Sequence, residues 1–357
     1  MKIALVHDWL TNMGGAEQCV LNFKEVFKDA PIYTSLYTPK NMDDRFKLFK
    51  IQTSFIQKLP FKSKHQHFFP LMPLAFERFD FNSYDVVLSS TSCCAKGIVT
   101  NANCTHICYC FTPIRYVWER SQEYTQGMHK WTRFFVSILL HYVRLWDFCA
   151  ANRVDYFIAI STAVQARIKK YYGRDSAIIF PPVRCSLFNI SDVDGDYYFI
   201  VSRLVGYKRF DIAVQACSAL NKKLVVIGDG PELKNLKKLA GPTVIFMGRQ
   251  PDSEVKKHMA ECKALLFPGE EDFGIVPVEA QGCGRPVIAY GKGGALDTVL
   301  DGKTGMLFKE QSIDSLCEAI QKFETMSFDK SVIREWGLQF DESIFRRKIK
   351  EFVESKV

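Results

Sequence analysis

The stretch Pro268-Gly269-Glu270-Glu271-Asp272-Phe273-Gly274-Ile275-Val276-Pro277-Val278-Glu279-Ala280 decides how this chain folds. It closes the short apolar run Ala264–Pro268 and opens a segment of helical character, so it reads as the loop of a strand–loop–helix unit. Gly274 permits close backbone approach, and Pro277 is tolerated in a first helical turn because the N–H it lacks has no partner there anyway. The N–H groups of Phe273, Gly274 and Ile275 are therefore expected to face a ligand, and a helix start of this kind suits an anion such as a diphosphate. Glu271 falls in the loop and Glu279 about one turn into the helix, with seven residues between them. Both carboxylates can reach one side of a site, where they suit the hydroxyl donors of a sugar or a ribose.

Outward from that unit, short apolar runs alternate with helix-like stretches along the whole chain, the pattern of parallel strands buried between helices. The fold class is α/β. Strands are expected at Lys2–His7, Asp85–Ser90, Thr105–Tyr109 and Val154–Ile160 in the first half, and at Tyr198–Ser202, Leu224–Gly228, Val244–Met247, Ala264–Pro268 and Val287–Tyr290 in the second. Between the sets lie Pro181-Pro182-Val183 and the acidic run Ser191-Asp192-Val193-Asp194-Gly195-Asp196, which reads as a linker. The expected domains are residues 1–189 and 190–340, with an amphipathic helix within 341–357, Phe345 and Phe352 on its apolar side, packing back on the first. Doubly wound sheets bind ligands at the carboxyl ends of their strands, so two such domains are expected to face each other across a cleft.

A chain of 357 residues with 47% hydrophobic content is long enough for two cores. No run of eighteen apolar residues occurs, and Met1-Lys2-Ile3-Ala4-Leu5-Val6-His7 leads directly into a strand, so a cytoplasmic chain that neither enters a secretory route nor spans a membrane is expected. The twelve cysteines sit in apolar settings such as Ile107-Cys108-Tyr109-Cys110, without zinc or redox spacing, and are expected to be reduced and buried. The net charge of +8 favours an anionic partner. Zinc-finger spacing, an RNA-recognition signature and a basic helical arm are all missing, which argues against nucleic acid.

The Glu271-to-Glu279 segment resembles the Glu-x7-Glu element of family 4 glycosyltransferases, which have the GT-B fold, two Rossmann-like doubly wound domains. The resemblance extends over nearly the whole chain. It implies that Glu271 lies at the transferred sugar and that Glu279 holds the ribose of a nucleotide-sugar donor. Ser202-Arg203-Leu204-Val205-Gly206-Tyr207-Lys208-Arg209-Phe210-Asp211 looks like the family's Arg…Lys pair, here Arg203 and Lys208. Two cations at a strand end can neutralise a diphosphate and stabilise the charge that grows on it as the glycosidic bond breaks. Gly14-Gly15-Ala16-Glu17 resembles the family's phosphate-approaching glycine loop. Ile227-Gly228-Asp229-Gly230-Pro231-Glu232 and Gly291-Lys292-Gly293-Gly294-Ala295 match loops that shape the donor site. Gly228 and Arg249 are counted on the donor side with Phe273, Gly274 and Ile275.

One departure stands out. In Cys108-Tyr109-Cys110-Phe111-Thr112-Pro113-Ile114-Arg115-Tyr116, Phe111 occupies the position where relatives carry a histidine that contacts the transferred sugar. Phe111 cannot hydrogen-bond, and His7 or His106 are the candidates to replace it. The acceptor-side candidates are His7, Phe111, Arg115 and Tyr116. A protein that binds nucleotide sugars with little turnover is the alternative that Phe111 raises, whereas a dehydrogenase is disfavoured because no GxGxxG follows the first strand.

The resemblance implies a retaining, metal-independent transfer with no cofactor, of a hexose to a lipid-linked or polysaccharide acceptor in bacterial surface-glycan assembly. Mannose from GDP-mannose is the favoured donor. Asp192-Val193-Asp194 looks like the metal-binding DxD of the other glycosyltransferase fold but falls in the expected linker. Finally, Arg45, Lys47, Lys50, Lys58, Lys62 and Lys64 are interleaved with Phe46, Phe49, Phe55, Phe61, Phe68 and Phe69, and no acid lies between Asp44 and Glu77. Basic and aromatic residues together suit a peripheral anchor on an anionic membrane, here the inner face of the cytoplasmic membrane, and the aromatic stretch Trp131–Trp146 adds to that expectation.

Overall fold

In the computed structural model, which describes residues 1–60, 65–119, 122, 125 and 127–357, the apolar runs form two all-parallel sheets. The first contains β1 (Ile3–His7), β2 (Ile32–Thr34), β3 (Ile51–Thr53), β4 (Val86–Thr91), β5 (Thr105–Cys110), β6 (Tyr156–Ala159) and β7 (Ser176–Ile178), in the order β3-β2-β1-β4-β5-β6-β7. The second contains β8 (Tyr198–Val201), β9 (Leu224–Ile227), β10 (Val244–Gly248), β11 (Ala264–Phe267), β12 (Val287–Tyr290) and β13 (Gly305–Phe308), ordered β10-β9-β8-β11-β12-β13. Each order reverses once, between β1 and β4 and between β8 and β11, which makes both sheets doubly wound and marks the strand ends where ligands bind.

The strand sequences explain this burial. Along β8, β9 and β12, Tyr198, Ile200, Leu224, Val226 and Ile288 enter one core cluster, while Phe199, Val225, Ile227, Val287 and Ala289 enter the other. Alternate residues point to opposite faces, and both faces are apolar, so helices must cover both. All nine expected strands form. The four not anticipated, β2, β3, β7 and β13, are only three or four residues long.

The chain divides into one unit of Met1–Pro182 with Phe345–Val357 and a second of Val183–Ile344. The sequence put this division near residue 190, but the preceding residues are already anchored in the second unit. The Val183 N–H donates to the Phe340 carbonyl at 3.0 Å, and Phe188 is buried in a core cluster with Phe199 and Phe267. The acidic run is also tied down, because Asp194 pairs with Arg285 and Lys330. Those two cations satisfy the carboxylate and hold it below its ordinary range.

The helix Glu342–Glu354 buries Phe345, Ile349 and Val353, and Phe345 meets Phe23 and Tyr109 at ring distances of 5.5 and 5.6 Å. In the basic aromatic stretch, Phe46 is fully buried, and Phe55, Phe68 and Phe69 pack against the first unit's core. Lys47 pairs with Asp44 at 2.6 Å. Phe61, Lys62 and Lys64 lie outside the described residues.

Candidate active site

In the second unit the expected site residues Arg203, Lys208 and Glu271 sit on the loops after β8 and β11, on either side of the order reversal. Lys208 Nζ lies 2.7 Å from Glu271 Oε1, with both side chains largely shielded. Several contacts make this pairing a property of the backbone. Gly269 passes so close to Lys208 that a Cβ would come within 2.9 Å of its Cα. Arg209, held in the left-handed region at φ 52°, binds Asp211 and Gln311, and Gln311 donates to the Pro268 carbonyl at 2.9 Å. The β8 and β11 loops are thus braced through a third loop.

Gly294 presses on the other side. Its N–H donates to the Glu271 carbonyl at 2.8 Å, and a Cβ there would lie 2.2 Å from the Phe273 backbone. The Phe273 ring is buried against Phe340, so only its backbone can serve a ligand. Gly274, at φ 87°, turns the chain into the helix Ile275–Gly282.

Glu279 projects from that helix into a largely desolvated position, and burial pushes its carboxyl up to about 7. Lys256 and Arg184 act against the rise while Asp252 adds to it. Burial disfavours the charged form unless hydroxyl or N–H donors arrive. Arg203 is exposed beside the buried anchor Leu204. Gly228, at φ 139°, packs on the Ser202 carbonyl, where a Cβ would come within 1.8 Å. Its N–H donates to the Gly248 carbonyl, and the exposed Arg249 follows immediately.

In the first unit the strand ends form a buried polar network. His7 Nδ1 lies 2.9 Å from Ser90 Oγ, and its Nε2 is 3.8 Å from a carboxylate oxygen of the buried Glu17. Glu17 comes from the first turn of the helix Gly15–Val26, for which Gly14 is the extended N-cap. Glu17 turns back so that a Cβ on Gly14 would meet its Oε2 at 3.1 Å. Phe111 stands edge-on to His7 at 6.2 Å. Of the two histidines expected to compensate for Phe111, the structure brings only His7 beside it. His106 is the second residue of β5, roughly 13 Å along the strand from its end. It is fully buried against Ser89, and burial followed by Arg153 pushes it down to about 3.

Arg115 pairs with Glu119 at 3.5 Å, and Tyr116 is committed to Cys93 Sγ and to the Phe69 ring. Sequence reasoning missed Asp8. Its carboxylate accepts from Thr91 Oγ1 and from the backbone N–H groups of Ser92, Cys93, Cys94 and Ala95, at 2.7–3.0 Å. The available signal was the Ser-Thr run 89–92 paired with an acid that follows the first strand.

A model described as Glycosyltransferase Family 4 matches residues 13–187, and one described as Glycosyl transferases group 1 matches residues 188–335. The chain belongs to glycosyltransferase family 4. Among its relatives, an uncharacterized glycosyltransferase of Methanocaldococcus jannaschii is 28% identical over 54% of this chain and 56% of its own length. A GDP-mannose-dependent phosphatidylinositol monomannoside mannosyltransferase of Mycolicibacterium smegmatis is 33% identical over 34% of this chain and 36% of its own. The chain thus spans about half the length of those relatives or less.

Solved structures with the same fold include Anabaena HepE bound to UDP, with TM-score 0.74, 19% identity, and coverage of 99% of this chain and 100% of that one. The lipopolysaccharide outer core galactosyltransferase WaaB matches with TM-score 0.71 and 19% identity over all of both chains. The family 4 fold of two Rossmann-like domains accounts for both sheets.

Proposed function

We propose that this chain is a retaining, metal-independent glycosyltransferase that moves a hexose from a nucleotide sugar to a lipid-linked or polysaccharide acceptor. The observation that carries this reading is the Lys208–Glu271 pair at 2.7 Å, at the order reversal of the second sheet and beside the helix start at Gly274. In the proposed reaction Arg203 and Lys208 bind the diphosphate and stabilise the charge it gains as the sugar leaves. Glu271 aims the Lys208 ammonium and accepts from sugar hydroxyls, and Glu279 accepts from the ribose. The acceptor hydroxyl attacks the face that the nucleotide vacates, and the departing phosphate takes its proton, so no protein nucleophile is required. On the first unit, His7, oriented by Ser90, supplies the polar group that Phe111 does not.

GDP-mannose is the favoured donor because the 33%-identical mycobacterial relatives are GDP-mannose-dependent, while UDP and UDP-glucose bound to the Anabaena neighbour make uridine donors the main competitors. Such donors and lipid-linked acceptors meet at the inner face of the cytoplasmic membrane, where we place the reaction.

The test is a thermal-shift screen of nucleotide sugars followed by transfer of labelled sugar. A true donor at a hundred times its Kd stabilises the fold by about 2.7 kcal/mol, and transfer is expected to persist in excess chelator. Binding with neither transfer nor donor hydrolysis would favour a nucleotide-sugar-binding protein instead. A need for added divalent metal would refute the phosphate-stabilisation account.

A further inference from the structure

The helix Lys130–Asn152 has two apolar faces, of which the fold uses one. On the packed face Leu140 and Val143 are buried in the first unit's core, with Val136 and Trp146 against it. Asp147 on that face is fully buried, where it pairs with Lys96 and accepts from Trp118 Nε1 at 2.7 Å and Tyr172 Oη at 2.8 Å. On the other face Trp131, Phe135, Ile138, Tyr142 and Leu145 recur at spacings of four and three, which aligns them in one stripe. Trp131 is 71% exposed, and Phe135 and Tyr142 are each 65% exposed. An apolar stripe of this length facing water marks an interaction surface.

Charge selects the partner. Asp147 is the helix's sole acid and is buried, whereas Lys130 and Arg133 are exposed at its start. The open face therefore presents aromatic, aliphatic and cationic groups, with no carboxylate, on a chain of net charge +8. Two copies paired through it would bring cations together unopposed, whereas an anionic bilayer meets every group on it. The 23-residue helix is long and apolar enough by length and composition to cross a membrane. Crossing would tear Asp147 from Lys96 and carry the core face into hydrocarbon, at the cost of an unpaired buried charge.

We propose that this face is an in-plane anchor on anionic lipid. The stripe enters the boundary between headgroups and acyl chains, and Lys130 and Arg133 stay with the phosphates. The proposal goes beyond sugar transfer and rests only on exposure, packing and charge.

The test is co-sedimentation with phosphatidylcholine vesicles, with and without phosphatidylglycerol, at low salt. The protein is expected to sediment with the phosphatidylglycerol vesicles. The double variant F135E/Y142E should bind roughly a hundredfold more weakly, and K130Q/R133Q about fivefold more weakly for each charge removed, on anionic vesicles alone. The unfolding midpoint and nucleotide-sugar binding of these variants should match the parent, since every substituted side chain is exposed.

Brominated lipids provide a second measurement, with W131F supplying the background. Quenching of Trp131 should be strongest from bromines near the headgroups. Absence of sedimentation, unchanged binding by F135E/Y142E, or strongest quenching from the bilayer centre would each overturn the proposal. A concentration-dependent dimer abolished by F135E/Y142E would also overturn it, by assigning the face to a second copy.

Discussion

The two strand-end regions at the order reversals use opposite materials. After β8 and β11 in the second unit, glycines and paired charges dominate, and loop backbones pack against one another at Gly228, Gly269 and Gly294. After β1 and β4 in the first unit, buried polar side chains do the holding, with the Asp8 carboxylate gathering six donors from residues 91–95 and His7 set between Ser90 and Glu17. A site of charges carried on a self-supporting loop backbone can lose a side chain and remain folded. A site whose loop hangs on one carboxylate cannot, so equivalent positions in the two halves should respond differently to substitution.

Asp8→Ala should break the contrast most severely. It leaves several buried N–H groups without an acceptor and is expected to cost about 3 kcal/mol or more of stability, read as a lower denaturant midpoint. A shift below about 1 kcal/mol would mean that water replaces the carboxylate and the first site is no more fragile than the second. Lys208→Ala is its counterpart, expected to lower kcat/KM by about 2–4 kcal/mol with the unfolding midpoint nearly unchanged. A loss of less than tenfold would remove Lys208 from the site. Glu271→Ala should act chiefly on turnover, and Glu279→Ala chiefly on donor binding. Equal effects of both on binding alone would count against the separate roles.

A smaller effect comes from pH. The Glu279 carboxyl sits at about 7, above its ordinary 4.5, so the folded state retains a proton that the unfolded chain loses. Its contribution to stability therefore falls as pH rises from 4.5 to 7 and is level above that. Donor binding follows the opposite sign, because ribose hydroxyls donate to the ionised form. Affinity for GDP should rise up to about tenfold per pH unit toward 7 and flatten above it, with proton release in calorimetry. Glu279→Gln should abolish the slope, and a slope that persists in that variant would assign it to another group. The least effect is expected from Arg249→Ala, where an exposed cation should change GDP affinity by about 0.5 kcal/mol. A loss above tenfold would place it firmly on the phosphates.

The same contrast explains what could be read before the fold was known. Glu271, Glu279, Arg203 and Lys208 stand out as candidates because charged residues at fixed spacing beside glycines and a strand end form a local pattern. Asp8 and Ser90 form none, since the hydrogen-bond partners of the Asp8 carboxylate lie 83 to 87 residues away. The nine expected strands follow from their apolar runs, whereas three-residue strands such as β2 and β3 take shape only through their neighbours in the sheet. The acidic run 191–196 resembled a linker in composition, and Arg285 and Lys330, about ninety residues or more onward, make it part of a domain. The phenylalanines between residues 46 and 69 suggested a surface, yet the ones described at 46, 55, 68 and 69 line or cover a core. Residue type alone cannot distinguish these from the outward-facing rings of the helix Lys130–Asn152.

The helix that ends the chain imposes an order of events on the ribosome. The first unit begins at Met1, but Phe345, which joins Phe23 and Tyr109 in one ring cluster, is made only after the whole second unit. At ordinary rates of synthesis the interval from Pro182 to Phe345 is roughly ten to thirty seconds. Throughout it the nascent first unit lacks one ring of its own interior, and the second unit is complete before the first can close.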